Sequence, residues 1–368
     1  MRASLLRPHL AQAGASFRPR HGVEVVAHFT DRASEYAAIR NAVGLTDFSF
    51  LRTFAIPEAQ AIDALDVLLA GNVPKIRFGR VLHTFLADPH GHVVADCFVA
   101  NNDQEFLFTC ESILSDDSLN SLLDPSGSGI LGQDLTPDIA VFSLDGYKAW
   151  EIVKKVFGPD VLGLPYLSIE NYSFAGQPVR LIRAGKTSEF GYLLFAPKSA
   201  AAELFETLRT EVTAREGRLC GVEVHDDLRL DGRFFNIHAE GSQVRDPLPL
   251  GLQWMVDFDK PDFLGAAAIR ERRAAGLQSK IIGLAAPQGA ESIVLGTELF
   301  HEGRAAGKVV AQGFSPVLSQ SLALGLLPID IAYSGLEFRR SQPDGPALRS
   351  ISMPPIMPRS LSVKLDEM

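Results

Sequence analysis

The sequence predicts an α+β fold followed by a smaller all-β part. Two observations lead to this prediction. Amphipathic helices and β-hairpins are interleaved through residue 276, and the chain then changes to short apolar strands separated by Gly and Pro turns. At 368 residues, with 46% hydrophobic and 21% charged residues, the chain is long enough for two or three domains or subdomains. We expect one α+β region over residues 1–276 and a β module over residues 277–368.

The elements of the first region follow in chain order. Residues 31–45 predict a helix ended by Gly44, and residues 56–71 predict a second helix with Gly71 just past its end. Residues 80–111 alternate as a three-stranded meander, because its Asp-Pro-x-Gly segment is a strong turn signal. The remaining predicted elements are a strand, turn and helix over 138–158, a hairpin of VRLIRAG and GYLLFAP, and helices over 199–217, 221–231 and 265–276.

A lone acid in the first hairpin raises the main functional question. The stretch VLHTFLADPHGHVVADCFVA carries Asp96 within an apolar run and His83 at a matching depth in the preceding strand. A two-residue loop would set His83 directly opposite Asp96 on one face of the sheet. A three-residue loop with a glycine bulge would place them on opposite faces. The two residues are either a pocket-lining pair suited to proton transfer or a polar stripe facing solvent.

Two other segments also permit two interpretations. If VEVHDDLRLDG is a helix, His225 and Arg229 are neighbours at i and i+4, either among surface ion pairs or on a polar face turned into a cleft. The hairpin tip RAGKTSEFGY carries Lys186 and Glu189, and it is either a solvated turn or part of a site. Spacing alone does not decide between these interpretations.

Composition and motif content argue against several classes of protein. The net charge of −9 and a sequence pI of about 5.5 disfavour binding to nucleic acid or to an anionic membrane. Three cysteines without CxxC spacing predict neither a disulfide framework nor a metal site. No Walker A, GxGxxG, HExxH or GxSxG motif occurs. Without a signal peptide or a run of about 18 apolar residues, a cytoplasmic protein is expected.

Seven segments of the chain follow the pattern of one enzyme family. They are AIRNAVGLTDFSF, GHVVADCFV, LDGYKAWEIVKKVFG, RAGKTSEFGY, GVEVHDDLRLDG, DPLPLGLQWMVDFDKPDFLGAAAI and GKVVAQGFSPVLSQSLALGLL. In this order and with similar spacing, they resemble segments of the aminomethyltransferase (glycine cleavage T-protein) family and its relatives, the folate-dependent demethylases. The similarity covers nearly the whole chain, so the sequence is identified as a divergent member of this family.

The resemblance implies a three-part, cloverleaf-like fold, with two α+β subdomains around a central channel and a small C-terminal β-barrel. It implies that the channel holds tetrahydrofolate and that Asp96 lies beside the folate nitrogen that accepts the one-carbon unit. A carboxylate there stabilises positive charge or relays a proton. The resemblance also favours the register in which His83 faces Asp96. The other positions implied to bind substrate or cofactor are Lys186, Glu189, Tyr192, His225, Arg229 and Trp254.

Several positions depart from the family pattern around this site. His83 stands where relatives carry an aromatic residue, Lys186 where they carry Tyr, and His225 where they carry Arg. Leu193 replaces the Glu that holds the donor edge of the pterin, at an expected cost of about 1–3 kcal/mol for each donor left unpaired. These changes predict altered folate binding, or a new polar pocket around Asp96 for an anionic or phenolic substrate.

Two functions follow from these departures. The first is a tetrahydrofolate-dependent methyl or one-carbon transferase that demethylates a small O-, N- or S-methyl compound. The second is a folate-independent lyase or hydrolase on the same scaffold, with His83 and Asp96 as its acid–base pair. Glycine-cleavage aminomethyl transfer and an accessory folate-binding role rank below both, since the KGCYxGQE-type segment of the accessory relatives is absent near 225–245. No segment indicates docking of the lipoyl-carrying H-protein, so a small-molecule partner is expected.

Overall fold

Three β-structures organise the residues that the computed structural model describes, which are 1–124, 127, 129 and 131–364. They are a mixed six-stranded sheet, an antiparallel five-stranded sheet and a closed six-stranded barrel, with a separate two-stranded hairpin near the N-terminus. The strands are β1 Ser16–Arg20, β2 Val23–His28, β3 Gly44–Asp47, β4 Arg52–Pro57, β5 Val81–Ala87, β6 Val93–Asn102, β7 Glu105–Ser112, β8 Gln133–Asp134, β9 Ile139–Asp145, β10 Ser168–Phe174, β11 Gln177–Arg183, β12 Gly191–Pro197, β13 Arg218–Cys220, β14 Ser279–Ala285, β15 Glu298–His301, β16 Arg304–Ser315, β17 Gln320–Pro328, β18 Glu337–Arg340 and β19 Ala347–Ile351.

Helices cover the sheets and connect their strands. Asp31 caps one of them by accepting the backbone N–H of Ser34 at 2.8 Å, which satisfies a donor that the first turn leaves free. No helix in the described part of the chain is both long and apolar enough to cross a membrane. The helices are α1 Arg7–Gln12, α2 Arg32–Asn41, α3 Glu58–Asp66, α4 Asp116–Leu123, α5 Ala149–Phe157, α6 Lys198–Ala214, α7 Val222–Gly232, α8 Glu240–Val244 and α9 Ala266–Ala275.

The predicted elements of the first region are present, but two helices end earlier than expected. The helix predicted over 31–45 ends at Asn41, and the one predicted over 56–71 ends at Asp66. Gly44 instead begins β3, where an added Cβ would lie 2.5 Å from Ile39 Cγ1. At Gly71 an added Cβ would lie 2.9 Å from both Leu82 Cδ2 and Thr84 Oγ1. Close packing, and not the ending of a helix, therefore explains both glycines.

The two open sheets divide the first region. The six-stranded sheet has the order β10-β11-β12-β9-β3-β13, and the five-stranded sheet has the order β5-β6-β7-β4-β8. One apolar cluster contains residues of both sheets, with Phe98 and Leu107 from one and Val141 and Phe195 from the other. The polar residues described below lie beside this shared cluster.

At His83 and Asp96, the hairpin of β5 and β6 has neither of the two predicted registers. His83 pairs with Phe98, and Asp96 pairs with Phe85. Because paired residues of antiparallel strands share a face, and residues two apart on a strand also share it, His83 and Asp96 lie diagonally on one face. The prediction that His83 lies directly opposite Asp96 was wrong, while the shared face was right.

The connection between these strands explains the difference. The turn is the three-residue loop of the second alternative, because Ala87 pairs with Val93 and Gly91 has a positive φ of 70°. Asp88 Oδ1 accepts the backbone N–H groups of His90 and His92 at 2.9 and 3.0 Å. Ala87 pairs with Val93 and Leu86 pairs with Ala95, so Val94 has no partner on β5 and forms a bulge. This bulge shifts the register by one further residue.

The expected C-terminal barrel is confirmed. Its strands close in the order β14-β17-β16-β15-β18-β19. Leu299, Val309 and Phe338 are among the residues that fill its interior, while Val310 and Leu322 join a cluster with Phe85 and Ile269 outside the barrel. The barrel therefore packs on the first region through a buried apolar surface. The domain boundary at 276 stays a prediction.

Candidate active site

Asp96 is a buried carboxylate with two basic partners. The residue is 3% exposed. Its Oδ1 lies 2.7 Å from His83 Nε2, and its Oδ2 accepts a hydrogen bond from Lys186 Nζ. Burial alone would raise the pKa of Asp96, but Lys186 and His83 outweigh burial, so the pKa lies below its ordinary value. The carboxylate is thus held ionised in a largely dry environment.

The loop between β11 and β12 brings Lys186 to Asp96. Gly185 permits this loop to fold closely, since an added Cβ would lie 2.8 Å from Gly191 Cα and 2.9 Å from Asp145 Oδ1. Lys186 also lies 3.4 Å from Glu111 Oε1. One ammonium group therefore bridges two buried carboxylates that come from neighbouring strands.

Glu111 is a member of this network that the sequence interpretation missed. It pairs with Asp96 across β6 and β7, and it forms a buried salt bridge with Arg229 of α7. Burial would raise the pKa of Glu111, but Arg229 and Lys186 hold it well below its usual value. The signal was available, because Glu111 is an acid in the apolar run EFLFTCE, as Asp96 is in its own strand.

Helix α7 contributes His225 beside Arg229. The His225 Nε2 atom lies 2.8 Å from Thr46 Oγ1, and the ring packs edge-on against Phe48 with 5.0 Å between ring centroids. Burial, assisted by the charge of Arg229, lowers the pKa of His225 to about 3. The ring is consequently neutral at physiological pH and acts as a hydrogen-bonding group. Both residues face the cleft and not the surface.

A second missed carboxylate lies on β9. Asp145 accepts hydrogen bonds from the hydroxyl groups of Ser143 and Thr187. Burial raises the pKa of Asp145 to about 6. Leu193 of β12 pairs with Ser143, so Asp145 is diagonal to Leu193 on the same face of the sheet. A carboxylate therefore lies next to the position where Leu193 replaces the acid of the family pattern.

These side chains surround a cavity of about 450 Å³, which we call the Asp96 cavity. Its walls combine the charged network with apolar surface. The residues that line it include Phe48, Leu51, Asp96, Phe98, Glu111, Ser143, Asp145, Lys186, Leu193, His225 and Arg229.

A larger space of about 960 Å³, the outer cavity, adjoins the Asp96 cavity. His83 lines the outer cavity and bonds to Asp96, and Tyr166 lines it while donating to the Gly185 carbonyl at 3.4 Å. Trp254 is 65% exposed and lies edge-on to His83, with 5.3 Å between ring centroids. His83 and Tyr166 therefore connect the wall of the outer cavity to residues that line the Asp96 cavity.

Two predicted binding residues lie elsewhere. Glu189 contacts Arg40 at 3.3 Å and accepts the backbone N–H of Ser360 at 2.9 Å, so it anchors the C-terminal segment. Tyr192 is fully buried in an apolar cluster, and burial raises its pKa to about 12. Neither residue lines either cavity. The alternation of side chains along β12 explains why Tyr192 lies outside the cavity, because Leu193 points to the cavity face and Tyr192 to the opposite face.

The described residues include no group of three or more His, Cys, Asp or Glu side chains placed to hold a metal ion.

Comparison with known proteins places the chain in a family. The family model described as the GCVT N-terminal domain matches residues 6–260, which is more than half of the chain. This chain belongs to the aminomethyltransferase family. As a member of that family, the protein is a one-carbon transferase.

Relatives of this aminomethyltransferase-family protein match it nearly end to end. An aminomethyltransferase of Halothermothrix orenii is 26% identical over 88% of this chain and 91% of its own length. One from Synechococcus elongatus is 29% identical over 91% of this chain and 90% of its own length. The crystal structure of glycine cleavage system aminomethyltransferase T from Bartonella henselae covers 97% of this chain and 99% of its own, with a TM-score of 0.81 and 22% identity. This last likeness shows the same fold.

Proposed function

We propose that this protein catalyses tetrahydrofolate-dependent one-carbon transfer at Asp96, and that its donor is a small O-, N- or S-methyl compound. The observation that supports this most strongly is the state of Asp96, a buried carboxylate kept ionised by Lys186 and His83 at the edge of the Asp96 cavity. An ionised carboxylate in a dry site stabilises nearby positive charge far more than it would in water.

The residues of the cavity fit a planar heterocycle with hydrogen-bond donors. Phe48, Phe98 and Leu193 supply flat apolar walls, while Ser143 and Asp145 supply acceptors. Asp145 offers a carboxylate beside Leu193, so the loss of the family's acid at that position leaves the wall with an acceptor. The outer cavity offers further space at the same site.

The chain's own residues have separate tasks in this proposal. Bound tetrahydrofolate supplies the nitrogen that accepts the one-carbon unit. Asp96 stabilises the positive charge that develops on the donor and relays a proton. Glu111, which is itself paired with Arg229, holds Lys186 in place, and His83 orients the Asp96 carboxylate from the outer cavity.

Mass-spectrometric detection of methyl-tetrahydrofolate, after incubation with tetrahydrofolate and a panel of methylated small compounds, tests this function. The Asp96→Asn variant should remain folded but lose roughly a hundredfold or more in rate, because the charged group is removed while the shape is kept. Asp103→Asn is the matched control, since Asp103 is exposed at the β6–β7 turn. Full activity in Asp96→Asn would contradict the role of Asp96.

A second candidate function rests on the direct contact of His83 with Asp96. With 2.7 Å between His83 Nε2 and Asp96 Oδ1, the two form a carboxylate–imidazole pair of the kind that transfers protons. Such a pair, reached from the outer cavity, supports a folate-independent lyase or hydrolase reaction. Turnover that needs no tetrahydrofolate and is lost in His83→Gln would favour this function. Turnover that strictly requires tetrahydrofolate would rule it out.

A further inference from the structure

A second polar cavity lies between the N-terminal hairpin and the five-stranded sheet. It spans about 330 Å³, including space open to solvent, and shares one wall residue, Cys110, with the Asp96 cavity. Its polar lining is strongly biased towards hydrogen-bond donors. The charged and imidazole side chains that line it are Arg2, Arg20, His21, Arg52, Asp116 and His238. We call it the basic cavity.

His238 is the unusual residue of this cavity. Its side chain is 6% exposed, yet neither ring nitrogen has a hydrogen-bond partner within the part of the chain that the structure describes. A buried polar group without a partner has lost its hydration and gained no hydrogen bond in exchange, so it is destabilising. The nearest carboxylate oxygen, Glu111 Oε2, lies 3.9 Å from Nε2, which is too long for a hydrogen bond. His238 therefore lines the cavity with a ring whose two nitrogens are buried and have unused hydrogen-bonding capacity.

The neighbours of His238 limit what can fill this space. The ring of His21 stacks on that of His238, with 5.1 Å between centroids and 20° between planes. Burial and the charge of Arg20 lower the pKa of both rings, that of His238 to about 3. A cation would be repelled by the adjacent guanidinium groups. An anion would be attracted and would favour the protonated, donating form of the ring.

The three guanidinium groups are fixed by salt bridges, one of them to Asp116, which itself lines the cavity. Arg20 pairs with Asp226 at 3.1 Å, and Arg2 pairs with Asp116 at 2.9 Å while also donating to two backbone carbonyls. Arg52 pairs with Asp134 at 2.8 Å. These contacts hold the groups in place without any ligand. A ligand would meet a site that is already organised, with little entropy to lose in ordering it.

We infer that the basic cavity binds a small oxyanion, a carboxylate or a phosphate group, through His238 and the surrounding guanidinium groups. Carboxylate and phosphate oxygens accept hydrogen bonds from guanidinium and imidazolium donors in good geometry. Apart from Cys110, this cavity has a different lining from the Asp96 cavity, so this inference goes beyond the proposed transfer reaction.

The test compares sodium phosphate and sodium acetate with sodium chloride at matched ionic strength, using the melting temperature of the full chain and isothermal titration. Phosphate, acetate or both should raise the melting temperature more than chloride does, because they bind only the folded state. The His238→Phe variant keeps the ring and its stacking but lacks both nitrogens. Its affinity should fall roughly tenfold or more through loss of a charge-assisted hydrogen bond.

Two further variants keep the result interpretable. His90→Phe makes the same change at an exposed turn position and should bind as the wild type does. His21→Asn alters the exposed stacking partner at a left-handed backbone position (φ 47°), which Asn tolerates. This variant should weaken binding, and it serves as the test if His238→Phe fails to fold. Stabilisation by phosphate alone or by acetate alone supports the site and identifies its ligand class.

The inference is overturned if neither anion stabilises the protein more than chloride does. It is equally overturned if His238→Phe and the wild type bind the anions with the same affinity, because the anions then bind elsewhere. Neither readout needs tetrahydrofolate or a methyl donor, so failure of this inference and failure of the proposed function are separate outcomes.

Discussion

Lys186 is the residue on which the charge balance of the site depends. Its ammonium group contacts both Asp96 and Glu111, and its side chain is 11% exposed. Two buried carboxylates on adjacent strands would otherwise repel each other across a medium of low dielectric constant. Arg229 offsets one of the two negative charges, and Lys186 is needed to offset the other.

Replacing Lys186 by Met should destabilise the protein by about 3–5 kcal/mol at pH 7, because a buried ion pair loses its cation. The loss should shrink at mildly acidic pH, since the pKa values of Asp96 and Glu111 rise once the cation is gone and the carboxylates then bind protons. Urea denaturation at two pH values measures both effects. Lys198→Met, at the exposed start of α6, is the matched control. A Lys186→Met variant as stable as the wild type would contradict this charge balance.

The buried carboxylate of Asp145 makes the stability of the folded protein depend on pH, with a sign opposite to that expected for Asp96 and Glu111. Burial raises its folded-state pKa from 3.8 to about 6. Between these values the folded state binds more protons than the unfolded state, so this group makes stability fall as pH rises from about 4 to 6. Asp145→Asn removes that loss while keeping an acceptor for Ser143 and Thr187. The variant should gain about 1–3 kcal/mol over the wild type at pH 7.5 and little at pH 4.

Denaturant unfolding of Asp145→Asn and the wild type at these two pH values gives the difference directly. Asp103→Asn, an amide replacement at an exposed turn, should change stability little at either pH. An equal difference between Asp145→Asn and the wild type at pH 4 and pH 7.5 would show that Asp145 does not titrate as described.

At the scale of single elements, the strand pattern predicted which face each residue takes better than it predicted the register. The apolar alternation of β5 and β6 correctly put His83 and Asp96 on one face once the resemblance favoured the pocket. The direct pairing was wrong because the turn is the three-residue loop, which the resemblance did not favour, and because Val94 bulges. The bulge was not predicted, and it restored the shared face by shifting the register one residue further.

Other misplaced residues reflect contacts that no local pattern contains. Glu189 lies in a segment that resembles a ligand-binding loop, but its partners Arg40 and Ser360 are each more than a hundred residues away. Tyr192 takes the core face of β12. Glu111 was missed although the same reasoning that singled out Asp96 applies to it. The predicted list therefore failed mainly where long-range packing assigns a polar residue to a structural role.

The anchoring role of Glu189 gives a test at the level of the loop that carries Lys186. Its carboxylate joins Arg40 to the 359–362 turn, and the side chains of Glu189 and Arg40 are nearly fully buried. Glu189→Ala should therefore lower the free energy of unfolding by about 3 kcal/mol or more. The affinity for ligand should change less than stability does. Glu203→Ala, on the exposed face of α6, serves as the control in chemical denaturation. Loss of ligand affinity without loss of stability would instead make Glu189 a binding residue.

For the whole molecule, the change of texture after residue 276 and the seven similar segments predicted the three-part architecture. The sequence could not show how the parts meet. The Asp96 cavity takes Asp96 and Glu111 from the five-stranded sheet, Asp145 from the six-stranded sheet and Arg229 from α7. These residues are far apart along the chain, so their meeting depends on the packing of the two sheets. Residue patterns within one element carry no information on that packing.

The central claim is that the paired cavities beside Asp96 bind tetrahydrofolate despite the departures at Leu193, Lys186 and His225. Isothermal titration of tetrahydrofolate into the full chain tests it most directly. We predict saturable binding with a Kd of roughly tens of micromolar or tighter, which would also raise the melting temperature by mass action. No measurable heat and no thermal shift up to millimolar tetrahydrofolate would contradict the claim and leave the folate-independent reaction of His83 and Asp96 as the function to pursue.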